Sequence, residues 1–98
     1  MPLLRFVWDP KKDAANERKH GLSFQAATAA FQDPFAVLHD DPDHSDGERR
    51  EILVGHDAVG RLLLVVFTEQ EDRIRIITAR RATKHERKAY EASQKNSS

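Results

Sequence analysis

The chain has 98 residues, 16 Lys and Arg against 16 Asp and Glu, and no cysteine. That length suits one domain, residues 1–98, which buries about two-thirds of its unfolded surface with no disulfide to staple it. Zero formal net charge argues against a globally basic nucleic-acid binder. No apolar run nears the roughly 18 residues of a membrane span, and MPLLRFVWDP lacks a signal-peptide core, so the expectation is a soluble cytoplasmic protein without membrane contact.

In chain order, Leu3 to Trp8 alternates apolar side chains and predicts a first strand. Asp9 is a favoured N-cap and Pro10 is pre-set for a first helical position, so a helix starts at Pro10 and ends at Gly21. That helix is polar, so one side must be well solvated. Ser23 caps a second helix, with Phe24, Ala27 and Phe31 on one face, stopped by Asp33-Pro34. FAVLH predicts strand two, DDPDHSDGE an exposed loop, and RREILVGH strand three. After the DAVG turn, RLLLVVF reads as a central strand; after EQED, RIRIITAR reads as the fifth. Thr83 and Glu86 form a capping box for a last helix that runs past Tyr90, with disorder from about residue 93. Short connections make strands two to five an antiparallel meander. The predicted fold class is α+β: an N-terminal strand and two helices, then a curled antiparallel sheet and a C-terminal helix.

Charge is unevenly spread. Asp33, Asp40, Asp41, Asp43, Asp46, Glu48, Glu51 and Asp57 face only Arg49 and Arg50 in their stretch, and the balance then reverses towards Lys95. Such a molecule suits two kinds of partner, or simply carries a solvated surface.

Three constellations could carry chemistry. Lys19-His20-Gly21 closes the first helix, where cations either complement the helix dipole or meet a phosphate. HDDPDH gathers His39, Asp40, Asp41, Asp43 and His44, but Pro42 and the loop context give no fixed-face spacing and the mixture matches no strong zinc pattern, so no metal or other cofactor is expected. In the third, Glu48, Arg50, Ile52, Val54 and His56 share one side of a strand. Arg80 is expected to continue the face of Ile74, Ile76 and Thr78, either as a phosphate ligand or, as parity favours, in an ion pair with Glu48. Together these residues suit metal-free RNA cleavage, in which the 2′-hydroxyl attacks the neighbouring phosphate. That reaction needs a base, an acid, and cations for the phosphate. Glu48 and His20 are candidates for base or acid; Lys19, Arg50 and Arg80 are candidate cations. Position favours Glu48 as the basic or orienting carboxylate, beside Arg50, and His20 as proton donor or phosphate contact.

The order of FVWDPKK, NERKHGLSFQAA, FQDP, GERREILVG and RIRIITARRATKHERKAYE resembles the BrnT toxin family from about Phe6 to Glu91. The resemblance implies a bacterial type II toxin with a RelE-like fold that cleaves RNA to arrest growth. It implies neutralisation by a BrnA-type ribbon-helix-helix antitoxin, contact with operator DNA through that antitoxin, and allows a toxin dimer within the complex. The family's Lys-His-Gly motif falls on Lys19, His20 and Gly21, its Gly-Glu-x-Arg motif on Gly47, Glu48 and Arg50, and its Ser-Ala-Arg motif on Thr78, Ala79 and Arg80, with Thr in place of Ser. A different class of reading is a non-catalytic binding module that serves as antitoxin partner and operon co-repressor.

Overall fold

The computed structural model describes residues 5–42 and 49–95. Strand β1 (Arg5–Val7) leads into helix α1 (Pro10–His20), short helix α2 (Phe24–Ala27) and a 3-10 turn at Thr28–Gln32. Strands β2 (Val37–Asp40), β3 (Glu51–His56), β4 (Leu62–Gln70) and β5 (Arg73–Arg81) follow, and helix α3 (Lys84–Lys95) closes the chain. The five strands lie in the order β1-β5-β4-β3-β2, antiparallel from β2 to β5, with β1 parallel to β5. The α+β class and the meander are as expected from the sequence.

Local chemistry sets most boundaries. Asp9 accepts a hydrogen bond from Lys11 N (2.9 Å), Pro10 occupies the first turn, and Gly21 ends α1 at φ 70°, donating to Glu17 O at 2.9 Å. Ser23 Oγ accepts from Ala26 N at 3.1 Å. The second helix tightens at Thr28, whose hydroxyl donates to Gln25 O (2.7 Å). Strand β2 begins at Val37 rather than Phe35 because Asp33 Oδ1 accepts from Phe35 N and Asp33 O accepts from Ala36 N, which holds a turn there. Arg49 and Arg50 precede the β3 ladder, yet their carbonyls accept from Thr68 Oγ1 (2.9 Å) and Asp41 N (3.0 Å). The capping box forms: Glu86 N donates to Thr83 Oγ1 and Thr83 N to Glu86 Oε1. Helix α3 runs through Ser93 and Gln94, with Ser93 Oγ donating to Tyr90 O and Gln94 Nε2 to Phe35 O. Leu3 and Leu4 of the predicted first strand, and most of the predicted loop, lie outside the described residues.

The sheet separates two cores. On one face, Leu22, Phe24, Ala27 and Ala30 pack on Leu53, Leu63, Val65, Phe67, Ile74, Ile76 and Ala79. On the other, Val54, Leu62, Leu64 and Val66 meet Tyr90, the buried residue of α3. Strand β4 feeds both, so it is apolar from Leu62 to Phe67, as a doubly covered stretch must be. Gly55 is where β3 and the 3-10 turn touch: a Cβ there would lie 2.8 Å from Ala30 O.

A bulge in β5 changes what parity predicts. Phe67 pairs with Ile76 but Val66 pairs with Thr78, which leaves Ile77 as the extra residue. Ile74, Ile76 and then Ala79 face the α1/α2 core, while Ile77 joins the α3 core. Arg80 pairs with Leu64, a member of the α3 core, so Arg80 points to the face opposite Ile74 and Ile76. The expected continuity of Arg80 with those isoleucines is therefore corrected, because an inserted residue inverts the alternation.

Candidate functional site

The polarity of α1 has a structural purpose. Asp13, Asn16 and His20 lie at i, i+3 and i+7, and this flank is the one withdrawn from solvent, with Asn16 only 7% exposed. Asp13 Oδ1 accepts from Phe24 N (2.8 Å), joining α1 to the start of α2. Asn16 does more. Its Nδ2 donates to Leu22 O and to Ala79 O, both at 2.9 Å, and its Oδ1 accepts from Ala79 N (3.2 Å) and Thr78 Oγ1 (3.1 Å). Strand β1 pairs only as far as Arg75, so beyond that point the outer edge of β5 needs another partner. The Asn16 amide acts as one, pairing both backbone groups of Ala79 as a neighbouring strand would. One residue thereby ties the Lys19-His20-Gly21 corner to Thr78-Ala79-Arg80.

Of the candidate residues, Lys19, His20 and Arg80 belong to the two chain segments that this joint ties together. Lys19 is exposed and His20 half-buried at the last turn of α1, and His20 lies one helical turn beyond Asn16. Arg50 is half-buried just ahead of β3. Glu48, with Gly47, lies outside the described residues. Arg80 is gripped by Glu86: Nη1 to Oε1 is 2.8 Å and Nη2 to Oε2 is 2.9 Å. This is a two-pronged, charge-assisted pair. The hydrogen bonds from Arg80 hold the Glu86 carboxyl at about 2, well below its ordinary range, with help from Thr83 N–H, and the same pair raises Arg80. Among the described residues the carboxylate that Arg80 pairs with is Glu86; the expected partner, Glu48, lies outside them. The helix-capping glutamate and the strand arginine are parts of one unit.

A second polar cluster lies at the far end of α3. Asp33 Oδ2 accepts from Tyr90 OH (2.9 Å) and His56 N (2.8 Å), and lies 3.2 Å from His56 Nδ1. Burial pushes the Asp33 carboxyl up, but the bonds from His56 N–H, Phe35 N–H, Tyr90 and the His56 ring outweigh it and leave it below its ordinary range. Burial, reinforced by Asp33, pushes the Tyr90 phenol up to about 12. Between the two clusters α3 stands off the sheet over a cleft of about 340 Å³, lined by Val37, Ile52, Val54, Leu64, Glu86 and Tyr90 among others. Among the described residues, no three His, Asp or Glu side chains gather where they could hold a metal ion; Asp43 and His44 of HDDPDH fall outside them.

Asn16, Asp33 and the partnership of Glu86 with Arg80 escaped the reading of the sequence. The spacing of Asp13, Asn16 and His20 was the signal for the first: a helix whose one inward stripe is polar must hydrogen-bond along it.

The chain matches the family model described as "Ribonuclease toxin, BrnT, of type II toxin-antitoxin system" over residues 8–86. No curated protein sequence matches it. Its fold matches the crystal structure of the Brucella abortus ribonuclease toxin BrnT with a TM-score of 0.62 at 21% identity, covering 84% of this chain and 100% of that one. Among the described residues no helix is long and apolar enough to cross a membrane. A match over residues 8–86, most of the chain, makes this protein a member of the BrnT family of ribonuclease toxins of type II toxin-antitoxin systems.

Proposed function

We propose that this chain cleaves RNA without a divalent metal, in the cytoplasm, by directing a 2′-hydroxyl at the adjacent phosphate, and that a BrnA-type ribbon-helix-helix antitoxin neutralises it. The observation that carries this reading is the Asn16 joint, which holds the Lys19-His20 helix end against the Thr78–Arg80 strand end. An RNA strand crossing the edge of β5 would meet Lys19 and His20 on one side and Arg80 on the other. Lys19, Arg50 and Arg80 then neutralise the charge gathering on phosphate, and His20 and Glu48 supply proton transfer. Because Arg80 is held by Glu86, the phosphate either shares the guanidinium or displaces the carboxylate.

That same pairing favours a second reading. If Glu86 keeps Arg80, the chain is a non-catalytic partner that binds its antitoxin and co-represses the operon. Cleavage of RNA by the purified protein in EDTA separates the two. The expected result is cleavage that survives EDTA and is lost in Lys19→Ala and Arg80→Ala while both variants stay folded. Activity abolished by EDTA and restored by one added metal overturns the metal-free mechanism, and absence of any cleavage favours the co-repressor.

A further inference from the structure

We propose that the outward face of the first turns of α3 is the surface that tracks the phosphate backbone of single-stranded RNA. The inference deepens the reading that RNA is the substrate, and rests on it for the choice of ligand. From 81 to 88 the exposed positions are Arg81, Thr83, Lys84, His85, Arg87 and Lys88. The acid within that stretch, Glu86, is turned inward and neutralised by Arg80. Lys84, Arg87 and Lys88 stand at i, i+3 and i+4, so they share the side of the helix opposite Glu86 and Tyr90. None of Arg81, Lys84, Arg87 and Lys88 makes an ion pair among the described residues. A chain of zero net charge thus gathers three cations, Lys84, Arg87 and Lys88, on one exposed helix face, with Glu91 the acid one turn beyond.

Local stability does not explain them. Cations in a first turn oppose the helix dipole, and Lys84 with Lys88 is a like-charge pair one turn apart; each arrangement costs a few tenths of a kcal/mol. A helix built only to fold would carry acids there, and a local rule broken without a structural return marks a functional surface. The first-turn N–H groups are not the attraction, since the Thr83–Glu86 capping box already engages that end. Nor does the face suit a protein partner, because the exposed stretch has no apolar residue to form the dry centre that a protein interface needs. A polyanion held by side-chain charge needs no such centre.

The test uses the full chain and a 2′-O-methyl RNA oligonucleotide, which cannot be cleaved because its attacking hydroxyl is blocked. Affinity is measured from low to moderate salt for the wild type, for Lys84→Gln/Arg87→Gln/Lys88→Gln, for Lys84→Arg/Lys88→Arg, and for a distant control, Lys11→Gln/Lys12→Gln, on exposed positions of α1. The expected result is at least a tenfold loss for the triple Gln variant and a slope of log K against log salt shallower by about 2, since each phosphate contact to a single strand contributes about 0.7. The Arg variant should bind as the wild type does, and the triple Gln variant should melt no lower than it. Unchanged affinity and slope in the triple variant, an equal loss in the control, or no RNA binding by the wild type overturns the proposal. So does unchanged RNA binding with weakened antitoxin binding, which would assign the face to a protein. Cleavage of unmodified RNA is scored separately: a wild type that binds through this face and does not cleave sinks the catalytic reading and leaves the surface standing.

Discussion

The two faces of the sheet are closed in different ways. The α1/α2 face is sealed by a large core in which Phe24, Ala27, Ala30, Leu63, Val65 and Ala79 are fully buried, with a buried polar joint at its edge in Asn16. The α3 face has a smaller core, an open cleft, and a helix anchored by Tyr90 and by polar clasps to Arg80, Asp33 and Phe35 O. Dispersion and burial hold the first face, and charge and hydrogen bonding hold the second. The first therefore provides rigid positioning of the Lys19-His20 corner, and the second is the face that responds to pH and to single polar substitutions.

Four experiments test that contrast, and the largest effect is expected in the closed core. Phe24→Ala should cost about 3–5 kcal/mol in urea unfolding, because a fully buried ring leaves a cavity that its neighbours fill poorly. A cost near that of an exposed residue would mean that the α1/α2 face is not closed.

Asn16→Ala should follow at about 2–3 kcal/mol, since it orphans the buried N–H and C=O of Ala79 together with Leu22 O. The amide of Ala79 should exchange with solvent much faster in this variant. An unchanged exchange rate would show that Asn16 does not serve as the missing strand neighbour.

Tyr90→Phe keeps the ring in the α3 core and removes its bond to Asp33, so it should cost about 1–2 kcal/mol. Hydrogen exchange should then rise in α3 and leave α1 as it was. A loss matching that of Phe24→Ala would erase the distinction between the faces.

The smallest effect concerns Glu86. Its carboxyl is held at about 2 against an ordinary 4.5, so ionised Glu86 stabilises the fold above pH 4.5 and that contribution is lost as pH falls towards 2. The pair is part-exposed, so screening leaves it about 1 kcal/mol. Glu86→Gln should cost about 1 kcal/mol at neutral pH and little near pH 2, and so flatten the pH dependence of stability between them. Equal slopes in variant and wild type would place the acid sensitivity elsewhere, with Asp33, also below its ordinary range, as the next group to replace.

Much of the fold was legible because its punctuation is local. Asp9-Pro10, Gly21, Ser23 and the Thr83–Glu86 box each act within four residues of themselves, so their hydrogen bonds can be read from spacing. The strand ends were less legible, since Asp33 delays β2 through bonds that no propensity announces. The candidate site was legible as motifs and not as geometry. Lys19, His20 and Arg80 were recognisable from their residue types, but a bulge one residue long decides which face Arg80 takes, and Asn16 reaches Ala79 beside it across 63 positions of chain.

By itself, the sequence determined the element order, the caps, the two-sided burial of β4 and the family, because periodicity and short-range hydrogen bonding are properties of neighbouring residues. Only the tertiary structure decided that Asn16 completes the edge of β5, that Glu86 holds Arg80, and that α3 turns its cations outward. Those outcomes depend on which long-range partner comes within hydrogen-bond reach, and alternation along a strand cannot report that once a bulge has inverted it.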